Sequence, residues 1–482
     1  MIERILKKFG DMHRKVGAIT VARSVGIVSA LLVMMALTRI LDPSDYGAYK
    51  KMWLVFILLS PGITSMLVKT LYYRSEVAGS SHVVWTIISI GAMASVIVAL
   101  IISLGSEVLA SLLQTPELST PLQWFGIYTL LATYSSVSEP IFVHVHRKKW
   151  LVGYNITYNF IEMCLIIVPF YLGYPLETVV KFMIAGPLMR SIFVSWFAYK
   201  QVGGPDFLQI KKEIPPSLNY GLGVLLIFIT GVGVLHIDKL IVATLVDSDE
   251  QYAIYVVGAQ QLPIVPAFIS SISAALVVQY SAQLYENELK PALNAIKAAT
   301  NRLFLLITPL IVVSFFMAEP IMVVLFDQYA ESAPIFQIYA IALIHRLFLA
   351  EPLLLATGKP RVIAGISVAE ILLNIPMSLM LLPAFGILGP AIATLIAHFA
   401  GSFAMIVYVS KSEKISMSHF MPSGKIWPLL VTLPVLGIIC YILLQTGFHN
   451  LIILALSGVA CGLIILFHNR EYLPDEITND PK

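Results

Sequence analysis

Charge is scarce in this sequence. Only 12% of its 482 positions are Asp, Glu, Lys or Arg, against about 25% in a soluble chain. Hydrophobic residues make up 58% and the mean hydropathy is +0.85. The shortage excludes a soluble enzyme, a nucleic-acid module and a disordered chain. Cysteine is nearly missing as well. Cys164, Cys440 and Cys461 all lie in apolar runs, which excludes a disulfide framework and a thiolate metal site. The histidines form no metal-spaced cluster on one helix. No G-x-x-x-x-G-K-[ST] segment occurs, which argues against direct ATP drive. Long polar connections are missing too, so no segment between apolar runs forms a globular domain of its own. Residues Met1 to Lys15 mix charges, and the first apolar run is too long for a signal-peptide core, so no cleavable signal is expected.

What is abundant is apolar length. A bilayer-crossing helix needs about 20 apolar residues, and fourteen such runs are present. The expectation is an all-α polytopic membrane protein with about 14 transmembrane helices. Span one covers Val16–Leu41, span two Tyr49–Leu71, span four Leu122–Phe142 and span seven Asn219–Val246. Span nine covers Leu303–Phe326 and span ten Ala333–Thr357. The six tryptophans fall near span ends, as an interfacial belt requires. Alternate gaps between spans, with the two ends of the chain, collect 23 of the 31 basic residues. The opposite gaps carry acids such as Asp42, Asp45, Asp247 and Asp249, with Arg39, Lys50 and Lys51 only at helix ends. By the positive-inside rule both termini are expected to be cytoplasmic.

The chain also repeats itself. Glu139-Pro140 closes span four and Glu351-Pro352 closes span ten, 212 positions later. At the same offset Arg147 meets Lys359 and Gly153 meets Gly365. Asp42-Pro43-Ser44-Asp45-Tyr46-Gly47-Ala48-Tyr49 after span one matches Asp247-Ser248-Asp249-Glu250-Gln251-Tyr252-Ala253-Ile254-Tyr255 after span seven, with one insertion. Six spans per copy imply parallel repeats, two six-helix lobes and two extra C-terminal helices. The expected organisation is a cytoplasmic amphipathic segment over 1–15 and an N-lobe of spans one to six over 16–200. A linker over 201–218, a C-lobe of spans seven to twelve over 219–410, spans thirteen and fourteen over 411–467, and a cytoplasmic tail over 468–482 follow.

Three stretches carry a family resemblance. Leu37 through Tyr49 resembles the span-one exit of polysaccharide transport proteins, with an Arg39–Leu41 run before the Pro43–Asp45–Tyr46–Gly47 turn. Ala356-Thr357-Gly358-Lys359, Asn374 and the glycine-rich turn Pro383 through Thr394 are similar to a second pattern of that family. His236 through Ile241, before Tyr252, resembles a third. With the topology, the chain resembles the oligosaccharide flippases of the multidrug/oligosaccharidyl-lipid/polysaccharide (MOP) exporter superfamily. That resemblance implies movement of an undecaprenyl-diphosphate-linked oligosaccharide, a repeat unit of O-antigen, capsule or exopolysaccharide, from the inner to the outer leaflet of the cytoplasmic membrane. Alternating access driven by a proton or sodium gradient, with no other cofactor, is expected. Partners would be the polyprenyl-diphosphate-linked glycan, membrane lipids and polysaccharide polymerase or assembly machinery, and no nucleic acid. The alternative is a multidrug or cation antiporter of the same superfamily. A membrane glycan polymerase or ligase is disfavoured, because the longest outer gap, Gly105 to Pro121, contains neither Arg nor His.

Charges inside spans cost about 2.5–3.5 kcal/mol each on insertion scales, so they mark functional candidates. Arg23, Arg190, Lys239 and Arg346 are the candidates for a diphosphate path, since guanidinium and ammonium bind phosphate through charge-assisted hydrogen bonds. The competing reading is neutralisation of buried acids, because Glu162 lies at a depth similar to Arg190 and Glu370 at one similar to Arg346. Asp238 neighbours Lys239, but successive helix residues are not expected to face each other. Glu162, Asp238 and Glu370 are the candidates for ion coupling. Pro61-Gly62, Pro187, Gly231 with Gly233, Pro263 with Pro266, and Pro376 are expected to interrupt spans. Gln260, Gln261, Pro263, Pro266 and Asn374 are the cavity or hinge candidates.

Overall fold

The computed structural model describes residues 25–78, 82–145, 148–260 and 289–423, with single positions at 269, 272, 273, 276, 277, 280, 437, 438 and 442. Arg23, Gln261, Pro263, Pro266, the terminal segments and nearly all of spans thirteen and fourteen lie outside the described residues. The chain forms two compact units, Met1–Ala253 and Ile254–Lys482. Every regular element among the described residues is helical.

The first unit contains α1 (Val25–Ile40), α2 (Pro43–Ala78), α3 (His82–Leu104), α4 (Ser106–Leu112), α5 (Ser119–Ser135) and α6 (Ser138–His144). It continues with α7 (Lys148–Tyr171), α8 (Leu176–Val202) and α9 (Phe207–Leu245); α10 (Asp249–Gly258) crosses the boundary between units. The second unit contains α11 (Leu289–Phe316), α12 (Ala318–Phe326), α13 (Ala333–Ala342), a 3₁₀ turn over Leu343–Leu347, α14 (Ala350–Ala356), α15 (Pro360–Phe385) and α16 (Leu388–Ser412). Eight of the described helices are long and apolar enough to cross a membrane. A bent pair, Ala330–Leu347 and Ala350–Ala356, is long and apolar enough when its two parts are taken together, and turns by 43° between them. The protein is a multi-pass membrane protein.

Local chemistry explains the helix ends. The Asp206 side chain accepts hydrogen bonds from the Leu208 and Gln209 N–H groups and caps α9. Helices α8 and α15 stop at Gly203 and Gly386, whose φ angles of +82° and +57° suit a residue without a Cβ. In α3, Val83, Val84 and Ile87 are buried while Met93, Ile97 and Leu104 are exposed. An apolar side chain on both faces of one helix is what lipid on one side and protein on the other demand.

Two expectations about continuity are corrected. Pro61, Pro187, Pro376 and the Gly231–Gly233 pair sit inside α2, α8, α15 and α9, which run on through them. A proline removes one backbone hydrogen bond, and neighbouring helices sustain the rest. The breaks lie elsewhere. Span four is split into α5 and α6 at Ser136–Val137, span nine is cut at Met317, and span ten is cut by the 3₁₀ turn. The first two breaks fall at apolar or small residues, and the turn Leu343–Leu347 carries His345 and Arg346 inside an apolar run, so mean hydropathy passes over all three.

The repeat is written into the element order. Helix α6 begins at 138 and α14 at 350, α7 at 148 and α15 at 360, α8 at 176 and α16 at 388. Each pair is separated by the same 212 positions as the Glu-Pro pairs. Ahead of them, a long helix, a short helix, a 3₁₀ turn and another helix occur in that order in both copies: α3, α4, Pro116–Leu118 and α5, then α11, α12, Ala330–Ser332 and α13.

Candidate functional site

Helix α2 presents one continuous stripe to a cavity of about 910 Å³ inside the first unit. The stripe runs Tyr46, Tyr49, Lys50, Trp53, Phe56, Ile57, Ser60, Pro61, Thr64, Ser65, Val68, Lys69 and Tyr72. This three-and-four spacing is one face of an α-helix. At 1.5 Å per residue it is about 39 Å long, more than the roughly 30 Å of a hydrocarbon core. Helix α1 contributes Gly26, Ser29, Ala30, Val33 and Met34. Helix α7 contributes Asn155, Tyr158, Asn159, Glu162, Met163 and Ile166. Tyr128 and Ala132 come from α5, Ser136 from the break, Glu139 from α6, Arg190 from α8 and Phe228 from α9.

The cations of this cavity rest on aromatic faces. Lys50 Nζ lies 5.5 Å from the Tyr46 ring centre and Lys69 Nζ 4.5 Å from that of Phe228. The Arg190 guanidinium carbon lies 4.5 Å from the Tyr158 ring centre and 5.8 Å from that of Tyr154. Arg190 also donates to Ser138 Oγ at 2.8 Å, and its Nε has no hydrogen-bond partner. A ring face stabilises a cation by about 0.5–2 kcal/mol, and a hydrogen bond from a charged group by about 1.5–3 kcal/mol. Together with the Glu162 carboxylate in electrostatic reach, these offset the cost of placing Arg190 at mid-span without a direct ion pair. Glu162 is held separately, accepting from Tyr128 Oη at 2.6 Å. No salt bridge joins Glu162 to Arg190 among the described residues. At the far end of the stripe Tyr72 Oη donates to Glu139 at 3.3 Å.

Of the sequence candidates, Arg190 and Glu162 meet in this cavity. The other candidates among the described residues do not line it. Lys239 lies buried on α9, where its Nζ reaches the Leu235 carbonyl at 3.1 Å and the Asp238 carboxylate at 3.4 Å. The expectation that these successive residues keep apart is corrected: the four-carbon lysine stem curls back along the helix. Arg346 is on the 3₁₀ turn of the second unit. Glu370 on α15 lies 3.5 Å from His398 Nδ1. Asn374 donates to Thr394 Oγ1 and accepts from Ser378 Oγ, both at 2.9 Å. Gln260, two residues past the end of α10, donates to the Val256 carbonyl of that helix at 3.1 Å.

Sequence reasoning missed Lys50, Lys69 and the aromatic stripe. The charge pattern counts Lys50 at a helix end and Lys69 among the basic residues of the gap after span two. The signal that finds them is their register with Tyr46, Trp53, Phe56 and Tyr72 on one face of α2.

The family motif after span one has a structural role of its own. Lys51 is fully buried, and its Nζ meets the Leu113 carbonyl at 2.6 Å, Thr115 Oγ1 at 3.0 Å and Asp249 Oδ1 at 2.7 Å. Thr115 donates to the same Asp249 oxygen at 2.6 Å. The carbonyl of Asp249 lies where a Cβ on Gly47 would be. The two repeat-related turns therefore touch at a glycine and are joined by a buried ion pair.

A family model described as polysaccharide biosynthesis protein matches residues 36–334, more than half of the chain. The chain belongs to that family. No curated protein sequence matches it. Among solved structures it is similar to the lipid II flippase MurJ in an inward closed conformation, at 14% identity and a TM-score of 0.69 over 96% of this chain and 99% of that one. It is also similar to an inward-facing multidrug resistance MATE family transporter of the MOP superfamily, at 15% identity and a TM-score of 0.60 over 83% of this chain and 99% of that one. A third similar structure is the Vibrio cholerae MATE transporter VcmN, at 14% identity and a TM-score of 0.60 over 86% and 99%. The fold is that of the MOP superfamily.

Proposed function

We propose that this protein moves a polyprenyl-diphosphate-linked oligosaccharide from the inner to the outer leaflet of the cytoplasmic membrane by alternating access. The observation that carries the reading is the cavity of the first unit, where Lys50, Arg190 and Lys69 are spaced along a membrane-length aromatic wall. A ring face stabilises a cation without neutralising it, so Lys50 over Tyr46 and Arg190 over Tyr158 keep their charge for an anionic ligand. Arg190 lines this cavity, and a guanidinium there supports binding of a phosphate oxygen. Aromatic faces beside Asn155 and Asn159 suit sugar rings and their hydroxyls. The family match and the MurJ-like fold support the same class of cargo. Cytoplasmic termini follow from the lysine and arginine distribution. The exported unit would pass to polymerase or assembly machinery. Ion drive is part of the proposal, with Glu162, Asp238 and Glu370 as coupling candidates. Lys239 and Arg346 sit beside acids and rank below Arg190 as diphosphate ligands.

A second reading, a multidrug or cation antiporter, draws on the same walls: Trp53, Phe56, Tyr128 and Tyr158 with Glu162 and Glu139 also suit a flat organic cation. Deleting the gene and analysing lipid-linked intermediates and surface glycan separates the two. Glycolipid trapped on the cytoplasmic side, with no surface polymer, is the expected result. Normal surface glycan with altered drug sensitivity would establish the antiporter instead.

A further inference from the structure

The second unit holds a cluster of titratable groups away from the cavity. Glu370 on α15 and His398 on α16 are buried, and His398 Nδ1 lies 3.5 Å from Glu370 Oε2. The His398 ring stacks on that of His345, with centres 4.4 Å apart and planes 20° apart. His345 sits on the 3₁₀ turn that breaks span ten, next to the 43° bend. Its Nδ1 is hydrogen-bonded to the Ala342 carbonyl. Its own carbonyl, freed by the break, accepts from Ser402 Oγ at 3.2 Å. His398 and Ser402 are four apart on α16, so one helix face holds the turn by a ring stack and a hydrogen bond. Gly401 on this helix leaves the space that the Glu370 carboxylate occupies, since a Cβ there would collide with it.

Arg346 on the turn and Glu351 on α14 are in electrostatic reach of Glu370 and of each other. The neighbouring helices turn their ionisable groups elsewhere. Lys297 of α11 binds the Ser418 and Met421 carbonyls, Arg302 is exposed, and Tyr339 of α13 is hydrogen-bonded to Tyr255. With both carboxylates ionised and both imidazoles neutral, the five groups carry one net negative charge. One bound proton cancels it. A second would place two imidazolium rings face to face, where like charges repel strongly in a medium of low dielectric. Imidazole nitrogens take a proton readily near neutral pH, while hard metal cations prefer a shell of oxygens.

We propose that Glu370, His398 and His345 form a binding site for one proton at the break in span ten, and that this proton couples transport to the proton gradient. The coupling half rests on the transport reading above. A proton on the imidazole pair strengthens the Glu370–His398 contact and holds α15, α16 and the turn together. Its loss to water on the other side of the cycle frees the turn to change its bend.

The test uses the full chain in liposomes on a solid-supported membrane. Without substrate, a step from pH of about 8 to about 6, across the range in which histidine titrates, is expected to give a transient inward charge movement. Glu370→Gln and His398→Gln are expected to lose it, as is His345→Phe, which keeps an aromatic ring in the stack. Thermal unfolding of each variant distinguishes loss of the site from loss of the fold. In the same liposomes a fluorescent polyprenyl-diphosphate oligosaccharide is expected to move faster under a proton gradient, with that acceleration lost in the three variants. Charge movement that persists in folded Gln variants, or acceleration by sodium alone, overturns the proposal. Charge movement lost in the variants, with no glycolipid transport under any gradient, would remove the glycolipid reading and leave the proton site standing.

Discussion

Arg190 and Ser402 occupy the same place in two copies of one helix pattern. So do Tyr158 and Glu370, Glu162 and Asn374, and Gly186 and His398, each pair 212 positions apart. In the first copy the polar groups border an open cavity: a guanidinium lies on a tyrosine face and a carboxylate takes a phenol hydrogen bond. In the second they are satisfied by close neighbours: Asn374 by Thr394 and Ser378, Glu370 by His398. The backbone repeat is shared and the chemistry is not. A duplicated helix pattern thus supplies two frames, one that offers an uncommitted cation and one that stores a compact titratable cluster.

The sharpest way to break this comparison is Arg190→Ala. It removes the mid-span cation and is expected to abolish surface glycan, read as accumulated lipid-linked intermediate at normal membrane abundance. Arg190→Lys should not restore it, because an ammonium cannot both lie flat on Tyr158 and reach Ser138. The next largest effect is on stability. Lys51→Met takes the cation from the half-buried Asp249, which keeps its Thr115 hydrogen bond, and should cost about 3 kcal/mol, read as a fall in the unfolding midpoint in detergent, with Lys51→Met plus Asp249→Leu recovering much of it. Gly401→Ala should displace the Glu370 carboxylate and reduce proton stimulation, while Met189→Ala at the equivalent, exposed position of the first copy should change little. Equal effects would dissolve the distinction between the copies. Glu162→Gln keeps an acceptor for Tyr128 but removes the charge, a difference of about 1 kcal/mol in hydrogen-bond strength, or roughly fivefold in rate. Retained ion dependence in that variant would assign coupling to the second copy. The smallest effect belongs to Lys181→Ala, which breaks an exposed pair with Glu177 and should shift stability by no more than about 1 kcal/mol.

The sequence showed the repeat because Glu139-Pro140 and Glu351-Pro352 mark helices that start at one constant offset. It marked Arg190 and Glu162 as candidates because a charge in an apolar run stands out, and both line the cavity. It hid the breaks at Val137, Met317 and Leu343, since hydropathy scores a side chain and says nothing of a backbone hydrogen bond. It hid the cavity lysines for a related reason. Lys50 and Lys51 are adjacent in sequence, yet a turn of about 100° between successive helix residues sends one to the cavity and the other into the packed interior. Composition cannot tell them apart; only the tyrosine and tryptophan register on α2 does.

Lys51 also has a history during synthesis. Its carboxylate partner is Asp249, roughly 200 residues further along the chain, and at about 5–20 residues per second that acid emerges some 10–40 s after the lysine. For that interval the ammonium of α2 has no anion to meet and cannot be stably enclosed in hydrocarbon. The first unit therefore completes itself only when the turn before α10 has been made, which sets an order of assembly on a chain whose other early helices are apolar enough to settle as they appear.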